Sequence, residues 1–225
     1  MNRNLLKTKN STIREFLAET LGTFTLVCIG CSANASVLLS ETDCATVITC
    51  FAWGLALTAA IYVCGGVSGG HCNPALTVAF ASVGKLKWRK VPHYLAAQYL
   101  GAFVGALITY CVYIDAIKNK FGNELIVDGE NGTAAIFITF PNENASIGAC
   151  VVDQIVSSAL FLLIVNAIID KQNMQCPNAL IPIAIGFTNL SLILFSFGFN
   201  CGAPLNPARD FAPRLFTSIA GWGKG

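Results

Sequence analysis

Charge is what this chain lacks most. Only 12% of its 225 residues are Asp, Glu, Lys or Arg, about half the share of an average soluble chain. A protein surface in water cannot be covered with so few ionised groups. Neither sign dominates: 14 basic residues against 12 acidic ones give a net charge of +2. No long run of one sign is present, which excludes an electrostatic nucleic-acid surface. Neither a nucleophile–base constellation nor a metal-ligand cluster is visible, so nothing points to an enzyme, a resident metal or a cofactor. A hydrophobic fraction of 54% excludes disorder. Ten cysteines do not make a disulfide framework here, because the chain is too long and too apolar for a small stapled scaffold. Most of them read as small buried hydrophobes. Long apolar runs are what remains, and they make lipid the solvent. At roughly 20 residues per span, the length holds about five or six membrane helices.

Five runs are long enough to cross a bilayer: Phe16–Leu39, Ala45–Gly65, Tyr94–Ile114, Ile147–Ile169 and Ala179–Phe199. The first is too long for a signal-peptide core and reads as a retained helix. Two shorter apolar stretches, Ala75–Val83 and Asp210–Ala220, cannot span at 1.5 Å per residue. The fold class predicted is an all-α membrane protein with five full spans and two half-helices. Basic residues orient it. Arg3, Lys7, Lys9 and Arg14 precede the first span, and Lys85, Lys87, Arg89 and Lys90 precede the third. That asymmetry places the N-terminus in the cytoplasm and the polar 115–146 loop outside. Asn131-Gly132-Thr133, in that outer loop, is the glycosylation candidate.

The chain also contains itself twice. An acid inside a span precedes an Asn-Pro-Ala tripeptide at nearly the same spacing in each half: Glu19 before Asn73, and Asp153 before Asn206. The first repeat covers residues 1–114 and the second 147–225. Three spans lie between equivalent points, so the second repeat is inverted in the membrane. Inverted repeats with short, Gly/Pro-interrupted segments at matched positions point to a transport site. Pro74 and Pro207 start helices without wasting a donor, and Asn73 and Asn206 are good N-caps. Two half-helices entering from opposite faces would meet near the midplane with both positive ends inward. Cations are repelled there, while a neutral hydroxyl can accept a hydrogen bond. Non-helical backbone at that depth must line a water-filled path or be buried, and its unpaired carbonyls would serve as acceptors for a passing solute.

The segments Ser68-Gly69-Gly70-His71-Cys72-Asn73-Pro74-Ala75 and Asn206-Pro207-Ala208-Arg209, together with the inverted repeat, resemble the aquaporins, or major intrinsic proteins. Asp210 directly after Arg209 is similar to the aquaglyceroporin branch. The resemblance implies a passive channel for water and small neutral solutes such as glycerol, assembled as a homotetramer, in the plasma membrane. It implies that Asn73 and Asn206 are midplane donors. It implies an outer filter of Trp53, Leu194, Ala203 and Arg209, in which Leu194 narrows one side and Ala203 widens another. Glu19, Asp153 and Asp210 are then the acids that brace the half-helix loops, the first two through backbone amides. Cys72 and Cys201, flanking the motifs, are the candidates for thiol-reagent sensitivity.

Two other readings stand beside the channel. An alternating-access transporter also uses inverted repeats, and ion-coupled flux would distinguish it. The repeat also predicts a sixth span after the second half-helix, where the chain stops at Gly225. A truncated, non-conducting product is therefore the alternative.

Overall fold

A computed structural model describes residues 8–129 and 131–223. Arg3 and Lys7, used above for orientation, lie outside the described residues. Four helices are long and apolar enough to cross a membrane: α1 (Ser11–Ser40), α2 (Ala45–Ser68), α4 (Val91–Phe121) and α5 (Ile147–Ile169). A fifth crossing is composite. It starts as α6 (Ile181–Ser191), passes through a π-helical turn (Leu192–Phe197) and finishes as α7 (Gly198–Cys201). The half-helices are α3 (Pro74–Ser82) and α8 (Pro207–Ala220).

The ends of these helices are set by side-chain chemistry. Asn10 caps α1, its side chain accepting from the Thr12 and Ile13 amides at 2.9 and 3.3 Å. Ser146 caps α5 through the Ala149 amide at 3.1 Å. A side-chain acceptor at this position satisfies an amide that the helix itself cannot. Helix α4 runs past the predicted Ile114 to Phe121. Its last turn carries Lys118 and Lys120, cations that suit a helix C-terminus, so the polar residues extend the helix rather than end it.

Polarity is turned inside out. Glu19, Thr23, Thr77, Gln98, Thr109 and Ser157 are fully buried, while Leu21, Leu55, Val112, Ile155 and Leu163 are each more than half exposed. That is the arrangement lipid demands. Close helix contact comes from glycine. A Cβ on Gly101 would run into the Thr20 carbonyl of α1, and one on Gly54 would lie 2.9 Å from the Gly186 carbonyl of α6. Without a hydrophobic drive between helices in lipid, such small-residue contacts carry the packing.

Candidate functional site

Both half-helices are approached by the same backbone path. After α2, Gly69 takes φ 93° and its N–H returns to the Gly65 carbonyl; after α7, Gly202 takes φ 70° and its N–H returns to Gly198. Left-handed residues then follow at matched places: Gly70 (φ 68°) and Cys72 (φ 48°) in the first loop, Ala203 (φ 40°) and Leu205 (φ 52°) in the second. Three of these four carry a Cβ, at a cost of about 1–2 kcal/mol each. The path delivers Asn73 and Asn206 in extended conformation, as N-caps, each followed by proline.

The two asparagines hold each other's loops. Asn73 Oδ1 accepts from the Ala75 amide at 2.8 Å, and Asn206 Oδ1 accepts from the Ala208 and Arg209 amides at 3.0 and 3.2 Å. Asn73 Nδ2 donates to the Leu205 carbonyl at 3.0 Å; Asn206 Nδ2 donates to the Cys72 carbonyl at 2.7 Å. A carboxamide has two N–H donors. One on each asparagine is therefore left without a protein partner among the described residues. Both asparagines line a cavity of about 680 Å³. The carbonyls of Cys72 and Leu205, expected to be free for a solute, are instead taken by the motif asparagines.

Trp53, Leu194, Ala203 and Arg209 line the same cavity. The structure thus brings all four predicted filter residues together with the two asparagines. Arg209 is 7% exposed, and its guanidinium carbon lies 4.1 Å from the Trp53 ring centroid. Its Nη1 has no hydrogen-bond partner among the described residues and stands 3.9 Å from Asp210 Oδ1. A guanidinium stays ionised when buried, so this nitrogen offers an unused charged donor. The Trp53 indole N–H donates to Asn34 Oδ1 at 3.2 Å. Leu194 is carried by the π-helical turn, a distortion common at functional positions.

The three acids do different things. Glu19 is fully buried and gathers the first loop: Oε1 accepts from the Ser68 hydroxyl and the His71 amide (3.0 Å), Oε2 from the Cys72 amide and Gln98 Nε2 (both 2.8 Å). Asp153, expected to do the same, does not. Its partners are side chains, Asn200 Nδ2 at 2.7 Å and Gln154 Nε2 at 3.1 Å. The loop amide contact belongs to Gln154, whose Oε1 accepts from Leu205 N at 3.3 Å. The aspartate is one methylene shorter than a glutamate, and the neighbouring glutamine spans the gap. Asp210 braces an outer segment: it accepts from Thr139 Oγ1 at 2.9 Å and Arg214 Nε at 2.8 Å.

The cysteine expectation needs correcting. Cys72 is fully buried, its Sγ 3.4 Å from Cys64 Sγ, and Cys201 lies against Gln154; neither lines the cavity. The cavity wall cysteine is Cys50. Asn131 is exposed, while the Thr133 hydroxyl accepts from Trp222 Nε1 at 2.9 Å. The sequence reading missed Asn34, Gln98 and Gln154 as parts of the site. Each is a carboxamide inside an apolar span, which is the signal that could have found them.

Residues 6–222 match the family model described as "Major intrinsic protein". Human Aquaporin-9 is 46% identical over 216 residues, covering 96% of this chain and 73% of that protein. Human Aquaporin-10 is 42% identical over 219 residues, covering 97% and 72%. Among solved structures, the aquaglyceroporin from Plasmodium falciparum superposes with a TM-score of 0.85 at 30% identity, covering 95% of this chain and 84% of that one.

Proposed function

The chain belongs to the major intrinsic protein family, and we propose that its solute path runs between Asn73 and Asn206 and is gated for size by Trp53, Leu194, Ala203 and Arg209. It is an all-helical integral membrane protein and a passive channel for water and small neutral solutes such as glycerol, not an enzyme. The observation that carries the proposed path is the donor count at the midplane: one unused N–H on each asparagine, facing one cavity. A hydroxyl oxygen accepts from these donors without charge. A cation meets two inward-pointing helix N-termini and is repelled.

At the outer mouth the Arg209 Nη1 supplies a charged donor to a solute hydroxyl, and Trp53, which lines the same cavity, offers apolar surface to the carbon side of the solute. Glu19 and the Asp153–Gln154 pair hold the loops, and Asp210 holds the outer segment. Homotetrameric assembly, residence in the plasma membrane, a cytoplasmic N-terminus and glycosylation at Asn131 belong to the same proposal. Because Cys50 lines the cavity, it is the proposed site of thiol-reagent block in place of Cys72 and Cys201, and Cys50→Ser is expected to remove that block.

Parallel water and glycerol uptake into proteoliposomes tests the reading. Both fluxes are expected to rise linearly with solute concentration, indifferent to sodium and proton gradients. Trp53→Ala and Arg209→Ala are expected to shift the glycerol-to-water ratio. Gradient-dependent flux, or an unchanged ratio in both variants, overturns it.

A further inference from the structure

Trp53 is held on more than one side, and what holds it lies on α1. A Cβ built on Gly30 would stand 2.5 Å from Cδ2, Cε2 and Cε3 of the indole, so the ring packs against bare helix backbone. One turn on, Asn34 Oδ1 accepts the indole N–H at 3.2 Å. Residues four apart share a helix face, and here that face is a seat for the tryptophan. The third contact is Arg209, stacked 4.1 Å from the ring centroid.

Asn34 also reaches outward. Its Nδ2 donates to the Ile136 carbonyl at 3.0 Å. That segment continues to Thr139, whose hydroxyl binds Asp210, the residue beside Arg209. A closed ring of contacts therefore surrounds the mouth: Asn34 to Trp53, Trp53 to Arg209, then through Asp210 and Thr139 back to Ile136 and Asn34. One carboxamide joins the wall of the cavity to the outer segment and uses a donor and an acceptor to do so. A buried indole N–H needs some partner, but any acceptor would serve that need. Asn34 instead lines the cavity itself and ties the ring to a second element.

We propose that Asn34 is a specificity-determining positioning residue, which sets solute selection by fixing the Trp53 ring against Arg209 and tying it to the outer segment. This rests on the filter reading given above. Glycerol, which must fit its carbons along the ring while its hydroxyls meet Arg209, depends on ring position. Water, a single small molecule, depends on it much less.

The test is the glycerol-to-water permeability ratio in proteoliposomes for Asn34→Leu, Trp53→Phe and the double variant, with the Trp53 indole ¹⁵N–¹H resonance as a second readout. Asn34→Leu is expected to lower the ratio roughly tenfold, the low end of the scale on which a misfitted pocket discriminates between substrates. The Trp53 indole resonance is expected to shift as the N–H loses its acceptor. In the Trp53→Phe background, which has no N–H to hold, Asn34→Leu is expected to add little, because the two residues act through one contact. Should Asn34→Leu fail to assemble, Asn34→Ser, whose hydroxyl is too short to reach the indole, takes its place. An unchanged ratio overturns the proposal. So does an equal fall in both permeabilities, or full additivity with Trp53→Phe. If Trp53→Ala and Arg209→Ala both leave the ratio unchanged, the filter reading fails instead.

Discussion

The two repeats solve one problem with different side chains. Each must hold a non-helical loop at the depth of the hydrocarbon, where an unpaired amide costs several kcal/mol. In the first, Glu19 alone collects two loop amides, a serine hydroxyl and a glutamine. In the second, Asp153 is held by Asn200 and Gln154, and only the glutamine reaches a loop amide. The backbone path is nevertheless the same, left-handed residue for left-handed residue. The geometry is thus repeated, while the chemistry that holds it is not. A single brace concentrates the load on one residue; a relay spreads it over three.

The sharpest way to break this contrast is to remove each acid. Glu19→Leu strands the His71 and Cys72 amides, at about 1–3 kcal/mol per group. It is expected to abolish a monodisperse peak in detergent size-exclusion chromatography. Asp153→Leu is expected to keep the peak and lower the melting temperature, because Asn200 and Gln154 can re-pair. Equal losses would erase the distinction. Next in size, Gln154→Leu is expected to cost about 1–3 kcal/mol by freeing Leu205 N, read as a shift in thermal unfolding, with Asp153 itself intact.

Matched positions sharpen the comparison further. Gly70→Ala places a Cβ at φ 68° within 3.0 Å of Ile61 Cγ2, and is expected to destabilise by about 1–2 kcal/mol. Its counterpart Ala203→Gly relieves a left-handed alanine and is expected to stabilise by about 0.5 kcal/mol, after the entropy of the freer unfolded chain is set against it. Opposite signs in the two melts are the outcome to look for. The smallest effect lies at the helix ends. Glu41, just after α1, pairs with Lys120 at 2.7 Å, and that hydrogen bond and charge hold its carboxyl below the ordinary value. The Asp170 carboxylate, at the matching end of α5, accepts from the Gln172 amide in its own turn and has no ion-pair partner among the described residues. A lowered carboxyl pKa gives stability that is present above the ordinary value and lost as pH falls through the folded one. The melting difference between wild type and Glu41→Gln is therefore expected to be small at neutral pH and to vanish in acid.

What could be read in advance followed chemistry that is local in the chain. The Asn-Pro pairs announce helix starts because cap and ring act on their own neighbours. Helix α5 was legible to the residue because Ser146 and Asp170 bound a mostly apolar run. The end of α4 was not, since Asp115, Lys118 and Lys120 look like loop when only hydropathy is weighed. The π-helical turn behind Leu194 leaves no compositional trace, because the same residues make an ordinary helix elsewhere. The Asp153 relay depends on a single methylene and on where Asn200 lands, neither of which spacing reveals. Asn34 was visible as a polar residue in a span, but its two partners lie on other elements.

The crossed bonds between the motifs turn the order of the chain into an order of events. Asn73 donates to a carbonyl 132 residues downstream, and the Cys72 carbonyl waits for an amide 134 residues away. While only the first half has been synthesised, neither group has its partner. A polar amide and carbonyl left at hydrocarbon depth are costly, so the first loop, though braced by Glu19, is not fully paired until the second motif is in place. The two motifs thus complete each other's hydrogen bonding, and the path between them is a joint product of both halves.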